Sequence, residues 1–210
     1  MATRIDTAPV DWAGDNPVIE FRASPNSSPT TLVTYFRIST SPHGRGHVVV
    51  FLTAPEDPEA AFEGSNAVFT DNRRLAEYLL HDFVTAFRGF RDVPGITRLP
   101  IKDATGFRAD GDGMTTYSEL ATSEDGDIEL TWKGLGQPFW IDFMADPDAG
   151  RVHDIHSLFV PAASAVARVG AVRRTGIAHP RIIDGHASTL CFLAFGEVWI
   201  RKTGRAVPFL

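Results

Sequence analysis

Residues Asp127 to Met144 constrain the fold more than any other stretch. The run Asp-Ile-Glu-Leu-Thr-Trp-Lys alternates, with Ile128, Leu130 and Trp132 on one face and Glu129, Thr131 and Lys133 on the other. A period of two marks a strand with one buried and one wet face. Gly134-Leu-Gly-Gln-Pro follows; its glycines supply positive φ at little cost, so the spacing predicts a turn. Phe139 to Met144 is then apolar on both faces except for Asp142, which shares a face with Trp140 and Met144. The expectation is an antiparallel hairpin in a curved sheet around a cavity.

Two more runs are apolar on both faces: Val48-Val-Val-Phe-Leu within 47–53, and Leu190-Cys-Phe-Leu-Ala-Phe within 187–202, where Gly196 marks a bulge. Short strands at 17–23, 30–39, 115–122, 151–160 and 165–173, separated by Gly, Pro, Asp and Ser, bring the total to about nine or ten. Strands apolar on both faces must be covered on both. A barrel covers one face from its lumen and the other from a helix or extra strands, and closure removes exposed edges. The expected fold class is therefore mainly β: an antiparallel barrel with one long α-helix packed on it, with a two-sheet β-sandwich as the alternative. The barrel resembles the calycins in architecture only. Asp11-Trp-Ala-Gly does not make the lipocalin entry motif, and a helix after three or four strands is out of place in that family.

The helix is predicted over 71–90, where Leu75, Leu79, Phe83, Phe87 and Phe90 recur every three or four residues. Thr70 or Asp71 is available to cap its start. Residues 1–16 read as a loose N-terminal arm and 17–210 as a single β-rich domain. Residues 91–114 are weakly patterned, a connection of the kind that serves as a lid. Its Asp110-Gly-Asp-Gly lacks the rest of a calcium loop.

A net charge of −6 without any Lys/Arg run argues against a nucleic-acid surface. No apolar stretch approaches the roughly 20 residues of a membrane span, and the N-terminus has no signal-like apolar segment; the expectation is a cytoplasmic protein. Of the 20 basic residues only Lys102, Lys133 and Lys202 are lysines. For the arginines to bind an anion they would have to converge in space. Cys191, the single cysteine, lies in an apolar run and reads as a buried, inert thiol.

Four groups are candidates for acid-base work. Asp142, if buried beside Trp140 and Met144, would have a raised pKa. His153 stands in Arg151-Val-His-Asp-Ile-His-Ser157, whose two histidines point to opposite faces of a strand and so do not form a metal site. His186 follows the Asp184-Gly185 turn at a strand mouth. Glu197 shares a face with Trp199 and Arg201, which would make a charged floor if inward. Tyr35, Phe51, Trp132, Trp140, Trp199 and Arg201 would line or back the ligand. Phosphate loops, dinucleotide fingerprints, nucleophile elbows and zinc clusters are missing, so no cofactor or metal is expected. The functional expectation is a barrel cavity for a small, largely apolar organic molecule, with or without cofactor-independent isomerase, cyclase, hydratase or lyase chemistry. The rival is an interaction protein, forming a homo-oligomer through the Phe-rich helix and apolar strands.

Overall fold

A computed structural model describes residues 9–53, 55, 66–146 and 151–202. Five strands come first: β1 Val10–Asp15, β2 Val18–Arg22, β3 Pro29–Thr40, β4 Gly46–Thr53 and β5 Ala67–Thr70. The helix α1 (Arg73–Asp82) and short 3₁₀ turns lead to β6 Ile101–Asp110, β7 Thr116–Ser123, β8 Gly126–Leu135 and β9 Phe139–Phe143. The chain ends with β10 His153–Val169, β11 Val172–Ile177, β12 Pro180–Ile183, β13 His186–Thr189 and β14 Cys191–Arg201.

Nine strands close a barrel. The order runs β14-β2-β3-β4-β5-β6-β7-β8-β10, and β10 pairs with β14 to complete the ring. That closure excludes the sandwich. One departure from the expected antiparallel barrel is the β5–β6 pair, which is parallel and is linked by the crossover that carries α1.

All nine barrel strands send side chains into one buried cluster, which is the lumen. Large residues (Tyr35, Phe51, Phe69, Trp132) meet small ones on β10 (Ala162, Ala165, Ala167), so the interior is filled by packing. Trp132 Nε1 donates to the Val18 carbonyl at 2.9 Å, joining β8 to β2. Tyr35, Phe51 and Trp132 are therefore lumen core. A second cluster lies outside the wall, where Leu75, Leu79 and Phe83 pack on Phe36, Val48, Val50 and Leu52. Both faces of β4 are thus covered, one by the lumen and the other by α1.

Several elements differ from expectation. The helix is ten residues, not twenty. Asn72 caps it, accepting from Leu75 N at 3.2 Å, while Asp71 binds His47 instead. It stops at Phe83, where β-branched Val84 and Thr85 follow and Gly89 lowers propensity further. The apolar stripe is buried all the same, with Phe83 and Phe90 nearly inaccessible. Residues 91–114 are not a long loop, because β6 fills 101–110; only Ala104 of that strand is buried, which left no alternation to read. The N-terminal arm contains β1, whose Trp12 stacks on Trp199 at 5.6 Å.

The 127–144 segment is not a hairpin. β8 pairs with β7 and with Ala162–Val169 of β10, whereas β9 pairs with the preceding stretch of β10, Ile155–Phe159. Between them Gly136 N donates to Pro161 O at 2.8 Å, so the glycines carry the chain along β10 instead of reversing it. A Cβ at Gly136 would lie 3.1 Å from Pro161 Cγ, a close approach that explains the residue.

Candidate functional site

One apolar hollow among the described residues lies outside the barrel wall. A cavity of about 240 Å³ sits over the outer face of β2, β14, β10 and β9. A cavity of about 150 Å³ accepts a benzene, so this one has room for more than a single ring. Its floor follows from period-two alternation. On β2, Ile19 and Phe21 face the lumen and Val18 and Glu20 face the cavity; on β14, Cys191 and Leu193 face the lumen and Phe192 faces the cavity. Phe87 to Phe90 and the β12 residues Arg181 and Ile183 complete the enclosure, with Ile141 and Phe143 on β9. The β12–β13 hairpin turns through Asp184 (φ 50°) and Gly185 (φ 78°), two positive φ values suited to a two-residue turn.

Glu197 is the chemically distinctive group in that wall. Gly196 adopts φ 57° at a register shift between β10 and β14, the bulge expected from sequence. Asp15 Oδ1 accepts from Gly196 N at 3.0 Å and fixes it. The bulge brings Glu197 to the outer face, where it is only 4% exposed. Burial pushes its carboxyl up to about 7; hydrogen bonds from Trp199 and Ser157 oppose the shift and the nearby Asp15 charge adds to it. Trp199 Nε1 donates to Glu197 Oε1 at 2.6 Å. A carboxyl poised near neutrality can both give and take a proton.

The other sequence-predicted residues are dispersed. His153 and Arg201 meet at Asp11: His153 Nε2 lies 2.6 Å and Arg201 Nη2 2.7 Å from Asp11 Oδ2. This group adjoins the site through Trp199, whose ring is 5.2 Å from His153, but it does not line the cavity. Tyr78, beside Asp11, has its hydroxyl pushed up to about 12 by burial and by that carboxylate. Asp142 is on the wet face of β9, its side chain 53% exposed and paired with His156; Trp140, 52% exposed, donates to it at 3.2 Å. The expectation of a buried Asp142 therefore fails, because β9 is covered on one face only. His186 is exposed and stacks on Phe139 at 4.7 Å. Of the ten residues expected to act together, only Glu197 and Trp199 line the cavity.

A second buried polar group closes part of the lumen. Arg37 Nη2 donates to Glu119 Oε1 at 2.5 Å, the Tyr117 hydroxyl donates to the same oxygen, and Arg37 Nη1 lies 3.6 Å from Asp15. Burial raises the Glu119 carboxyl, and Tyr117 and Arg37 only partly offset that rise. The gap beside Tyr35 and Glu119 has no room for a water-sized molecule, so this network is structural. Cys191 is buried and free, its thiol pushed up to about 12 by desolvation.

Sequence reasoning missed Asn16, Glu20, Arg88 and Arg181, all of which line the cavity. One signal was present: in Pro180–Ile183, Arg181 and Ile183 share a strand face. Among the described residues no cluster of His, Cys, Asp or Glu has the arrangement of a metal site, and no helix is long and apolar enough to cross a membrane. The chain matches no protein-family model, and neither the curated proteins nor the solved structures contain a match to it.

Proposed function

We propose that the protein binds a small, largely apolar organic molecule in the cavity outside the barrel wall, with Glu197 as its proton-carrying group. The observation that carries this reading is a carboxyl buried in the wall of an otherwise largely apolar hollow, where desolvation pushes it up to about 7. The calycin-like expectation put the ligand in the lumen; the filled lumen moves the proposed site to the outer face. Phe143, Phe159, Phe192 and Trp199 supply apolar contact, and Asn16 and Glu197 supply orientation. Chemistry suited to such a site is cofactor-independent proton transfer, as in an isomerase, cyclase, hydratase or lyase: Glu197 removes a proton at one carbon or hydroxyl and returns it at another.

The test is thermal stability against a panel of small apolar acids, amides and alcohols. A ligand at about 100 times its Kd should add roughly 2.7 kcal/mol. Turnover of any hit is then compared in Glu197→Gln. Retained binding with lost turnover supports an enzyme, and retained turnover removes Glu197 from the chemistry. No stabilisation by any compound sinks the binding reading.

One observation favours the rival. The outer side of β9 exposes Trp140 and, just beyond the strand, Met144, at 52% and 59%. The Phe-rich segment 71–90 expected to form that interface packs its apolar stripe on its own barrel. A stable oligomer in light scattering that Trp140→Ser dissolves would support the interaction-protein reading.

A further inference from the structure

The arginines of this chain do converge at one place, the rim of the cavity. Arg88 and Arg181 both line it, and neither makes a hydrogen bond or ion pair among the described residues. The nearest acid is Glu20, and it is already engaged: Arg22 Nε lies 2.5 Å from Glu20 Oε1. Arg181 is half-buried, and desolvation lowers its pKa; Glu20 opposes that, while Arg88 and Arg22 add to it, which places all three groups within electrostatic reach. Three guanidinium groups therefore face one carboxylate at the edge of an apolar enclosure. Arg88 is exposed, but Arg181 is half-buried with no ion pair among the described residues; holding its charge there is costly, and an incoming anion relieves that cost.

Glu197 does not supply that anion. The groups that act on it are Trp199, Ser157 and Asp15, whereas Arg181 feels Glu20, Arg88 and Arg22. The cavity thus combines a cationic rim, apolar walls and a separate protonatable group.

Resting on the cavity's being a binding site, we propose that its ligand is an amphipathic organic monoanion, in its simplest form a carboxylic acid. The carboxylate is held by Arg88 and Arg181 at the rim and the apolar body points toward Trp199 and Glu197. A planar guanidinium matches a carboxylate with two parallel N–H···O bonds, which a neutral amide head cannot reproduce.

Matched probes test this. 4-Phenylbutyrate and octanoate are titrated into the protein calorimetrically beside 4-phenylbutyramide and octanamide, at low and high salt. The expected result is a carboxylate preference of at least about tenfold, reduced by salt. In Arg181→Met and Arg88→Met the preference should vanish while amide affinity holds; the retained amide binding and an unchanged circular dichroism spectrum show that the variant is folded. Equal binding of acid and amide to the wild type keeps the cavity and overturns the anion. A preference that survives in both variants also overturns it. Binding of no probe to the wild type sinks the cavity reading itself, and the inference with it.

Discussion

Cys191 and Leu193 look into the lumen from β14, while Phe192 and Ala194, one position over, look out toward the β9 and β12 side. The same strand thus builds a filled interior on one side and contributes to an open hollow on the other. The difference lies in what covers each face. The lumen is ringed by hydrogen-bonded strands whose bulky and small side chains are matched, with Trp132 and Phe51 sharing the interior with the alanines of β10. The outer face is covered by the β12–β13 hairpin, the Phe87–Phe90 segment and β9, and a cavity remains between them. Polar groups follow the same division. In the lumen Glu119 is tied to Arg37 and Tyr117; at the outer cavity Arg88 and Arg181 have no partner among the described residues. A closed barrel need not hold its ligand inside, and for this chain the lumen serves stability.

Three changes would break or sharpen that contrast. The largest effect is expected for Trp132→Ala, which empties the lumen and removes the bond to Val18; denaturant unfolding should show a loss of about 3–5 kcal/mol. A loss below ~1 kcal/mol would mean that the lumen is not the stabilising core.

Next is Glu197. Between pH 4.5 and about 7 the folded state retains a proton that the unfolded chain has released, so stability falls as pH rises across that window. The term is on the order of 3 kcal/mol and should be absent in Glu197→Gln. Unfolding of both proteins from pH 4 to 8 measures it. Identical slopes would show that Glu197 is ionised and solvated in the folded state.

The smallest stability effect belongs to Phe143→Ala at the cavity mouth, where the side chain is already 38% exposed; about half a kcal/mol is expected. Its affinity for a bound apolar compound should nonetheless drop several-fold, whereas any ligand should still bind folded Trp132→Ala. The reverse pattern would put the ligand in the lumen.

Much of the barrel was readable because alternation survives wherever one side of a strand is wet or both are packed. The two-faced runs at 48–52 and 190–195 demanded cover on both sides, and the structure supplies it. β6 was not readable, since only Ala104 of its ten residues is buried. The hairpin reading of 127–144 failed for a different reason. A Gly-x-Gly-x-Pro run reverses a chain or merely offsets it, and the choice rests with β10, a partner that comes later in the sequence and has open positions beside both β8 and β9.

Local pattern by itself determined the mainly β class, the burial of the Phe-rich stripe, the bulge at Gly196 and the inert setting of Cys191. These follow from side-chain period and glycine stereochemistry, which act over a few residues. Only the tertiary structure decided which face of each strand is the lumen, that β10 and β14 close the ring, and that Asp142 is wet while Glu197 is dry. It also decided that Arg88 and Arg181, 93 positions apart, meet at one cavity with Glu20. Burial and charge pairing depend on which strands become neighbours, and that is set by the packing of the whole barrel.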